Sequence, residues 1–274
     1  MCEMTTRYRL TIAYLGTRYC GWQRQRSAPT VQAEVERAVS RIIGAADATV
    51  VGSGRTDAGV HAAAQVAHVD LPHEIPAEGL AKALNGALPD DIRIRAAAVV
   101  HSSFHARFSA AAKHYAYRAR WSHTPSLAPW SEARRARVRE ITDQRAVEEC
   151  VASCVGRHDW ASFTVARPET GSTKRRLYDL RIHFERGGFR LDAFGEGFLR
   201  YQVRRMTGAL LEVGWARRDS SWFVDLVRDP RPGAPVCTAA ARGLTLEHVY
   251  YRAPHCARCG GPEGAAPTPF DSRW

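Results

Sequence analysis

The chain has 274 residues, and its 39 Lys and Arg against 28 Asp and Glu give a formal net charge of +11. This length allows one large domain or two ordinary ones, and a hydrophobic content of 45% is enough for a buried core. A wholly disordered, collagen-like or coiled-coil chain is therefore excluded. Because no run approaches the ~20 apolar residues that span a bilayer, and the first residues lack a signal peptide's apolar segment, we expect a cytoplasmic protein without a membrane partner.

The basic side chains are unusual in kind. Only Lys82, Lys113 and Lys174 are lysines, and all the others are arginines. Arginine's planar fork matches phosphate oxygens and stacks on bases, so this composition favours a nucleic acid partner. A GC-rich genome also favours arginine codons, so the charge suggests a partner without establishing one.

The seven cysteines are odd in number and scattered, which argues against a disulfide framework and for reduced thiols. Cys150 and Cys154 are four residues apart, the spacing of small core residues on a helix. Cys256 and Cys259, with His255 beside them, make only half a zinc site, because no second pair follows. The cysteines therefore predict no metal site.

The first half of the chain reads as β-α-β-β-α-β. The N-terminal strand alternates apolar and polar residues, and Thr30 and Gly44 are the expected caps of the first helix. The six predicted elements are residues 8–14, 31–43, 50–52, 60–71, 76–86 and 92–100. This order is typical of an α+β sandwich with helices on one face of a sheet.

The second half repeats that outline. Its predicted elements are a strand at 114–121, a helix at 144–154, strands at 177–185 and 189–195, helices at 199–213 and 220–227, and a strand at 244–251. We therefore predict an N-terminal subdomain at 1–106 and a C-terminal subdomain at 107–253. Ser122–Arg139, rich in Pro, Ser, Trp and Arg, is expected to be an irregular basic excursion, and 254–274 a flexible tail.

The segment from Gly52 to Ala62 has the densest cluster of special residues. Its glycines permit positive φ, so the loop can expose Asp57 at the tip of a strand-loop-strand unit. A phosphate cradle is disfavoured, because the Walker Gly-Lys-Ser/Thr and a following helix are absent. An Asx-turn with Arg55 paired to Asp57 is the structural alternative, and these residues alone leave it open.

The motif GRTDAGVHA around Asp57 resembles the signature of the tRNA pseudouridine synthase A family. Further segments resemble that family in the same order, with Trp160 and Gln202 at positions where the family usually has other residues. These segments are GWQRQ at 21–25, VQ at 31–32, QVAH at 65–68, LNGALP at 84–89, FHARFSA at 104–110, GRHDWASF at 156–163, FLRYQVR at 198–204 and GLTL at 243–246. The resemblance thus extends from about residue 8 to residue 251.

The resemblance implies a pseudouridine synthase fold: two similar ferredoxin-like or RRM-like subdomains that share a bent antiparallel sheet flanked by helices. It implies isomerisation of uridines 38, 39 and 40 in the tRNA anticodon stem-loop, by a homodimer that needs no metal or organic cofactor. Two alternatives stay open. One is a paralogue that acts on another RNA or a small uridine compound, and the other is a catalytically silent RNA-binding or RNA-folding module.

By the same resemblance Asp57 is the catalytic nucleophile and Arg204 the basic partner that holds it ionised. Arg200 precedes Arg204 by four residues, so on the predicted helix both project from one face. Tyr115 is expected to stack on the flipped uracil and to accept the C5 proton, whereas Tyr117 is core or site wall. The alternatives are an Asx-turn for Asp57, a phosphate contact for Arg204 and a core position for Tyr115.

The remaining predicted contacts are with RNA. Arg55 resembles an arginine that enters the RNA stack and helps to extrude the target base. The residues expected to contact phosphates are Arg24, His105, Arg107, Arg200 and the cluster Lys174–Arg176. For each of them a solvated charge is the alternative.

Overall fold

A computed structural model describes residues 5–44, 48–124, 132–165 and 171–252. The chain forms two compact units: Met1–Ala111 with the segment that begins at Leu246, and Ala112–Thr245. The boundaries predicted from the sequence, 1–106, 107–253 and 254–274, stay a prediction. The half zinc site at Cys256 and Cys259 lies outside the described residues.

The first unit contains an antiparallel sheet and two helices. Its elements are β1 (Thr6–Tyr14), α1 (Val31–Ile43), β2 (Val51–Gly52), β3 (His61–Leu71), α2 (Ala77–Ala87), β4 (Ile92–Val99) and most of β10 (Leu244–Tyr251). The strand order is β4-β1-β3-β10, and β2 pairs with β3. The predicted β-α-β-β-α-β order is confirmed, with each boundary within two residues of its expected place.

Alternation of apolar residues builds this unit's core. Tyr8, Leu10, Ile12 and Tyr14 of β1 are buried, and the residues between them are only half-buried. Gly44 ends α1 with φ 66°, the left-handed conformation expected of a glycine cap. Thr30 occupies the predicted N-cap position, but its side chain makes no capping hydrogen bond.

The second unit is also built of a sheet and helices, but its strands and helices follow one another in a different order. Its elements are β5 (Ala110–Trp121), β6 (Ala136–Val138), α3 (Gln144–Ala152), β7 (Gly156–Asp159), β8 (Lys174–Glu185), β9 (Gly188–Gly195), α4 (Gln202–Gly214) and α5 (Ser220–Arg228). Strands β5-β9-β8-β7 form an antiparallel sheet, and β6 adds to β5 in parallel. The predicted α+β class is confirmed; β6 and β7 are strands that the sequence did not predict.

The predicted start of α4 is wrong in a way that affects the site. The helix begins at Gln202, because Tyr201 takes a left-handed backbone conformation with φ 62°. The Gln202 side chain accepts a hydrogen bond from the Leu199 amide at 2.9 Å, which closes the preceding turn. Arg200 therefore lies outside the helix and does not share a helical face with Arg204.

Two smaller expectations concern cysteines and membranes. Cys150 and Cys154 are buried, as predicted, and burial raises the pKa of both thiols. Within the described ranges no helix combines the length and apolar character required to cross a bilayer.

Two helix glycines give a test of core packing. A Cβ on Gly208 in α4 would lie 2.1 Å from the Cys237 carbonyl oxygen, whereas a Cβ on Gly86 in α2 meets nothing within 4 Å. We expect Gly208→Ala to destabilise the protein by roughly 1–3 kcal/mol through overpacking. Gly86→Ala should be neutral or stabilising by up to about 1 kcal/mol, because alanine favours helix. Thermal unfolding of the two variants measures this, and equal melting temperatures would contradict it.

Candidate active site

Asp57 lies in a loop that begins at the end of β2 and leads into β3, here called the Asp57 loop (Ser53–Val60). Its first residues are fixed to β3 by three hydrogen bonds. The Ser53 amide donates to the Val66 carbonyl at 2.7 Å, and the Ser53 hydroxyl donates to Gln65 Oε1 at 2.7 Å. Gln65 Nε2 donates to the Gly54 carbonyl at 2.9 Å. Because the Ser53 and Gln65 side chains are fully buried, water does not compete for the hydrogen bond between them.

The middle of the loop is held by the last residue of β1 and by residues that follow this strand. The Thr56 hydroxyl shares a 2.9 Å hydrogen bond with the Tyr14 hydroxyl, and the Thr56 carbonyl accepts the Trp22 amide at 3.1 Å. Gly21 has φ +94°, and a Cβ there would lie 2.5 Å from the Thr56 carbonyl oxygen. The close approach of these two backbones therefore requires glycine at position 21.

These contacts place Asp57 between a buried neighbour, Thr56, and an exposed one, Ala58. Thr56 is buried, Asp57 is half-buried, and Arg55 and Ala58 are exposed. The Val60 amide donates to the Asp57 carbonyl at 3.1 Å, which closes the turn. Arg55 Nε donates to Gln23 Oε1 at 3.1 Å, so the arginine predicted to enter an RNA stack is exposed and hydrogen-bonded to Gln23. The loop thus supplies a carboxylate on a fixed backbone.

Tyr115 and Tyr117 both belong to β5 in the second unit. Tyr115 is 8% exposed, and its ring meets that of Phe198 edge to face at 5.3 Å. Tyr117 is completely buried and stacks on Phe189 at 6.3 Å. A Cβ on Gly243 would lie 2.6 Å from the Tyr117 ring, so Tyr117 is a core residue.

Arg204 is attached to its own unit through backbone and ring contacts. Its Nε donates to the Ala239 carbonyl at 2.8 Å, and the Ala239 amide donates back to the Arg204 carbonyl at 3.0 Å. The guanidinium groups of Arg200 and Arg204 lie 5.0 and 5.1 Å from the centre of the Tyr201 ring. Both arginines therefore contact the ring of Tyr201. The sequence did not predict this contact.

The remaining predicted RNA contacts differ in accessibility. Arg24 pairs with Glu36 at 3.2 Å, yet 61% of its side chain stays exposed. Arg205, which follows Arg204 in α4, is 7% exposed and donates to the carbonyls of Ser162 and Ala234. Arg205 therefore stabilises the fold, whereas Arg24 keeps surface for a partner.

His105 has an electrostatic state that the sequence did not reveal. Its Nδ1 accepts the amides of Arg107 and Phe108, both at 3.2 Å. Burial, together with the charges of Arg7 and Arg107, lowers the pKa of His105. The imidazole is therefore neutral at neutral pH, and a phosphate contact by His105 depends on its other ring nitrogen as a neutral donor. In the part of the chain that the structure describes, no three His, Cys, Asp or Glu side chains form a group able to hold a metal ion.

A pair of glycines separates loop geometry from general stability. Gly21 and Gly233 both have positive φ, but a Cβ on Gly233 meets nothing within 4 Å. We expect Gly21→Ala to displace the Asp57 loop and reduce turnover at least tenfold, because Thr56 must move. Gly233→Ala should lower stability by about 1 kcal/mol and leave turnover unchanged. Turnover at a temperature where both variants are folded is the measurement, and a fully active Gly21→Ala variant would refute the constraint.

His68 gives a pH test of the same unit. Burial, with the charges of Arg7 and His105, lowers the pKa of His68 from 6.5 to about 4. The folded state resists protonation of His68, whereas the unfolded state binds the proton below about pH 6.5. The free energy of unfolding is therefore highest above pH 6.5 and falls by roughly 3 kcal/mol as the pH drops towards 4. His68→Gln retains an acceptor for the Ala106 amide, so its unfolding free energy should fall less steeply over this range. The unfolding free energy of both proteins is measured by denaturant titration at each pH. An equal dependence on pH in wild type and His68→Gln would contradict the lowered pKa of His68.

Comparison with known proteins places this arrangement in a family. Residues 10–109 and 151–252 match the model described as tRNA pseudouridine synthase. The chain is 40% identical over 240 residues to the tRNA pseudouridine synthase A of Rhodospirillum rubrum, covering 87% of this chain and 83% of that protein. It is 36% identical over 251 residues to that of Latilactobacillus sakei subsp. sakei, covering 91% and 100%.

A solved structure, described as a Cbf5–Nop10–Gar1 complex, covers 87% of this chain and 48% of its own matched chain. Its TM-score of 0.34 and 11% identity are too low to carry an argument. The sequence relatives and the family model confirm the predicted family and its pseudouridine synthase fold. The chain belongs to the tRNA pseudouridine synthase family.

Proposed function

We propose that this chain isomerises uridine to pseudouridine at positions 38, 39 and 40 of the tRNA anticodon stem-loop, with Asp57 as the nucleophile. The observation that carries the proposal is the Asp57 loop, a half-buried carboxylate on a backbone anchored from two sides by buried hydrogen bonds. Membership of the tRNA pseudouridine synthase family supplies the reaction class. We further propose that the enzyme works in the cytoplasm as a homodimer.

The reaction exchanges one glycosidic bond for another. The N1–C1′ bond breaks with its electron pair leaving on uracil, the base rotates, and C5 forms a new bond to C1′. The Asp57 carboxylate either bonds to C1′ until C5 displaces it, or removes a ribose proton to give a glycal and returns that proton to the ribose when C5 bonds to C1′. In both routes C5 loses a proton and N1 gains one, so the net change is an isomerisation without oxidant or energy source.

Three further residues have proposed roles in this chemistry. Arg204 pairs with Asp57 and keeps the carboxylate ionised. The Tyr115 ring stacks on the flipped uracil, and its hydroxyl oxygen accepts the C5 proton after the new bond forms while its own proton passes to water. Arg55 occupies the space that the extruded base leaves. The exposure of Arg55 and the contact between Tyr115 and Phe198 are the observations that support these roles.

Binding is proposed to depend on the arginines that retain exposed surface. Arg24, Arg107 and Arg200 are exposed, so each can approach a phosphate without leaving its present neighbours. Contacts of this kind dominate affinity for nucleic acid and make it sensitive to salt. His105, being neutral, contributes by hydrogen bonding and not by charge.

Replacing Asp57 by asparagine tests the proposal directly. Asp57→Asn should reduce pseudouridine formation by at least about a thousandfold while leaving tRNA affinity within a few-fold, because the amide keeps the shape and loses the nucleophile. Pseudouridine is mapped on tRNA transcripts by carbodiimide-dependent primer-extension stops, and affinity is measured by filter binding. Asp90→Asn, at a fully exposed carboxylate of the same unit, is the matched control and should behave as wild type.

Arg200→Ala gives the complementary behaviour. It should weaken tRNA binding and reduce the slope of log affinity against log salt by about one, with turnover of bound tRNA retained. Undiminished product from Asp57→Asn would refute the nucleophile. Stops outside the anticodon stem-loop would refute the proposed target, and turnover of free uridine nucleotide without reaction on tRNA would favour a paralogue with a small substrate.

A further inference from the structure

Phe108 is the most exposed large apolar side chain among the described residues, with 77% of its surface accessible. The Arg107 guanidinium lies 5.9 Å from the centre of its ring. An exposed aromatic ring beside a guanidinium is the combination that proteins use to stack on unpaired bases next to phosphates. None of the roles proposed above uses Phe108.

The backbone that carries Phe108 is closed into a tight turn, here called the Phe108 turn (His105–Ser109). The Ser109 amide donates to the His105 carbonyl at 2.9 Å, and the His105 amide donates to the Ser109 hydroxyl at 3.1 Å. The His105 ring accepts two amides of the turn at Nδ1 and stacks on the Phe108 ring at 4.3 Å with an interplanar angle of 30°. Phe108 is therefore held in an exposed position by specific contacts.

The Phe108 turn is attached to the same strand as the Asp57 loop. The Ala106 amide donates to His68 Nδ1 at 3.1 Å, and His68 lies on β3 two residues beyond Val66, which accepts the Ser53 amide. Two residues along a strand span about 7 Å. The two segments are thus anchored to neighbouring points of β3.

A second connection links the same two segments. The Tyr251 hydroxyl donates to the Ala106 carbonyl at 2.7 Å. Burial raises the pKa of that hydroxyl, and its interaction with the nearby Ser53 side chain opposes the rise. Tyr251 therefore contacts the base of the Phe108 turn and the first residue of the Asp57 loop.

We propose that Phe108 is a stacking platform for an unpaired RNA base next to the target uridine, with Arg107 at the adjoining phosphate. Extruding a uridine leaves its neighbour without a stacking partner, and an aromatic ring anchored beside the Asp57 loop replaces that partner. Stacking tolerates any base, which suits an enzyme proposed to act at three successive positions. This inference rests on the proposed function and adds Phe108 as a residue that recognises its RNA substrate.

The first experiment compares variants at position 108 with a matched surface control. Phe108→Leu keeps an apolar side chain and removes the aromatic face, whereas Phe108→Trp retains that face. We expect Phe108→Leu to weaken binding of a tRNA anticodon stem-loop by about five- to one-hundred-fold, the range for one stacked base. Phe108→Trp should bind like wild type. Val155→Ala, at a 47% exposed apolar residue of the second unit, should leave binding unchanged.

The second experiment identifies the contact without using catalysis. Stem-loops are prepared with 2-aminopurine at one loop position at a time, and with an abasic site at the position that responds. Wild-type protein should quench one such base by stacking, and Phe108→Leu should not. Wild-type protein should bind the abasic RNA more weakly than the intact RNA. Phe108→Leu should bind the two RNAs equally well, because the substitution and the abasic site remove the same contact.

Three outcomes would overturn the inference. Equal binding by wild type and Phe108→Leu would remove any role for the ring. Equal losses in Phe108→Leu and Phe108→Trp would show that shape and not stacking matters. A change of oligomeric state in Phe108→Leu would assign the ring to a contact between copies of the chain. Because these assays measure binding, absence of pseudouridine from wild-type reactions would refute the proposed function separately.

Discussion

The buried hydrogen bonds among Ser53, Gly54 and Gln65 are the constraint on which the candidate site depends. An amide and a hydroxyl that are completely buried each cost about 1–3 kcal/mol if left unsatisfied. Gln65 avoids this cost because its side-chain oxygen accepts a hydrogen bond from the Ser53 hydroxyl and its side-chain nitrogen donates one to the Gly54 carbonyl. A displaced loop leaves both groups unpaired, and the position of Asp57 is therefore coupled to the register of β3.

The same strand carries a second constraint two residues further along. His68 accepts a backbone amide only while its ring is neutral at Nδ1, and burial with nearby positive charge keeps it so at neutral pH. The Phe108 turn repeats this arrangement, since His105 also accepts backbone amides at Nδ1. The buried His68 and the half-buried His105 thus both accept backbone amides, an assignment opposite to the cationic role that a basic protein suggests for them.

Local sequence patterns predicted most of the fold, because the strands and helices of the first unit have apolar residues at the regular spacing of their secondary structure. β1 alternates strictly, and α1 ends at a glycine with left-handed φ. Where prediction failed, the cause lay outside the local sequence. The start of α4 depends on the turn closed by Gln202 and on the strained backbone of Tyr201, and β7 has no apolar alternation, existing as a strand through its pairing with β8.

The candidate site divides in the same way. The motif around Asp57 located the loop, because its glycines and carboxylate are adjacent in sequence. Tyr14 and Trp22 hold Thr56 from more than thirty residues upstream, and their contact with the loop could not be predicted because only the folded chain brings them to it. Composition likewise identified arginines without separating those that bind carbonyls, such as Arg205, from those with exposed surface, such as Arg24.

The arginines also explain why charge alone is an incomplete description of this surface. Arg200 and Arg204 both face the Tyr201 ring, and Arg107 lies beside the Phe108 ring. A guanidinium retains donors at its edge while its face rests on an aromatic ring, whereas an ammonium is a point charge without such a face. Replacing these arginines by lysine preserves the net charge of +11 and removes the planar contacts. The net charge therefore does not distinguish these arginines, whose contacts with aromatic rings are a separate feature of the surface.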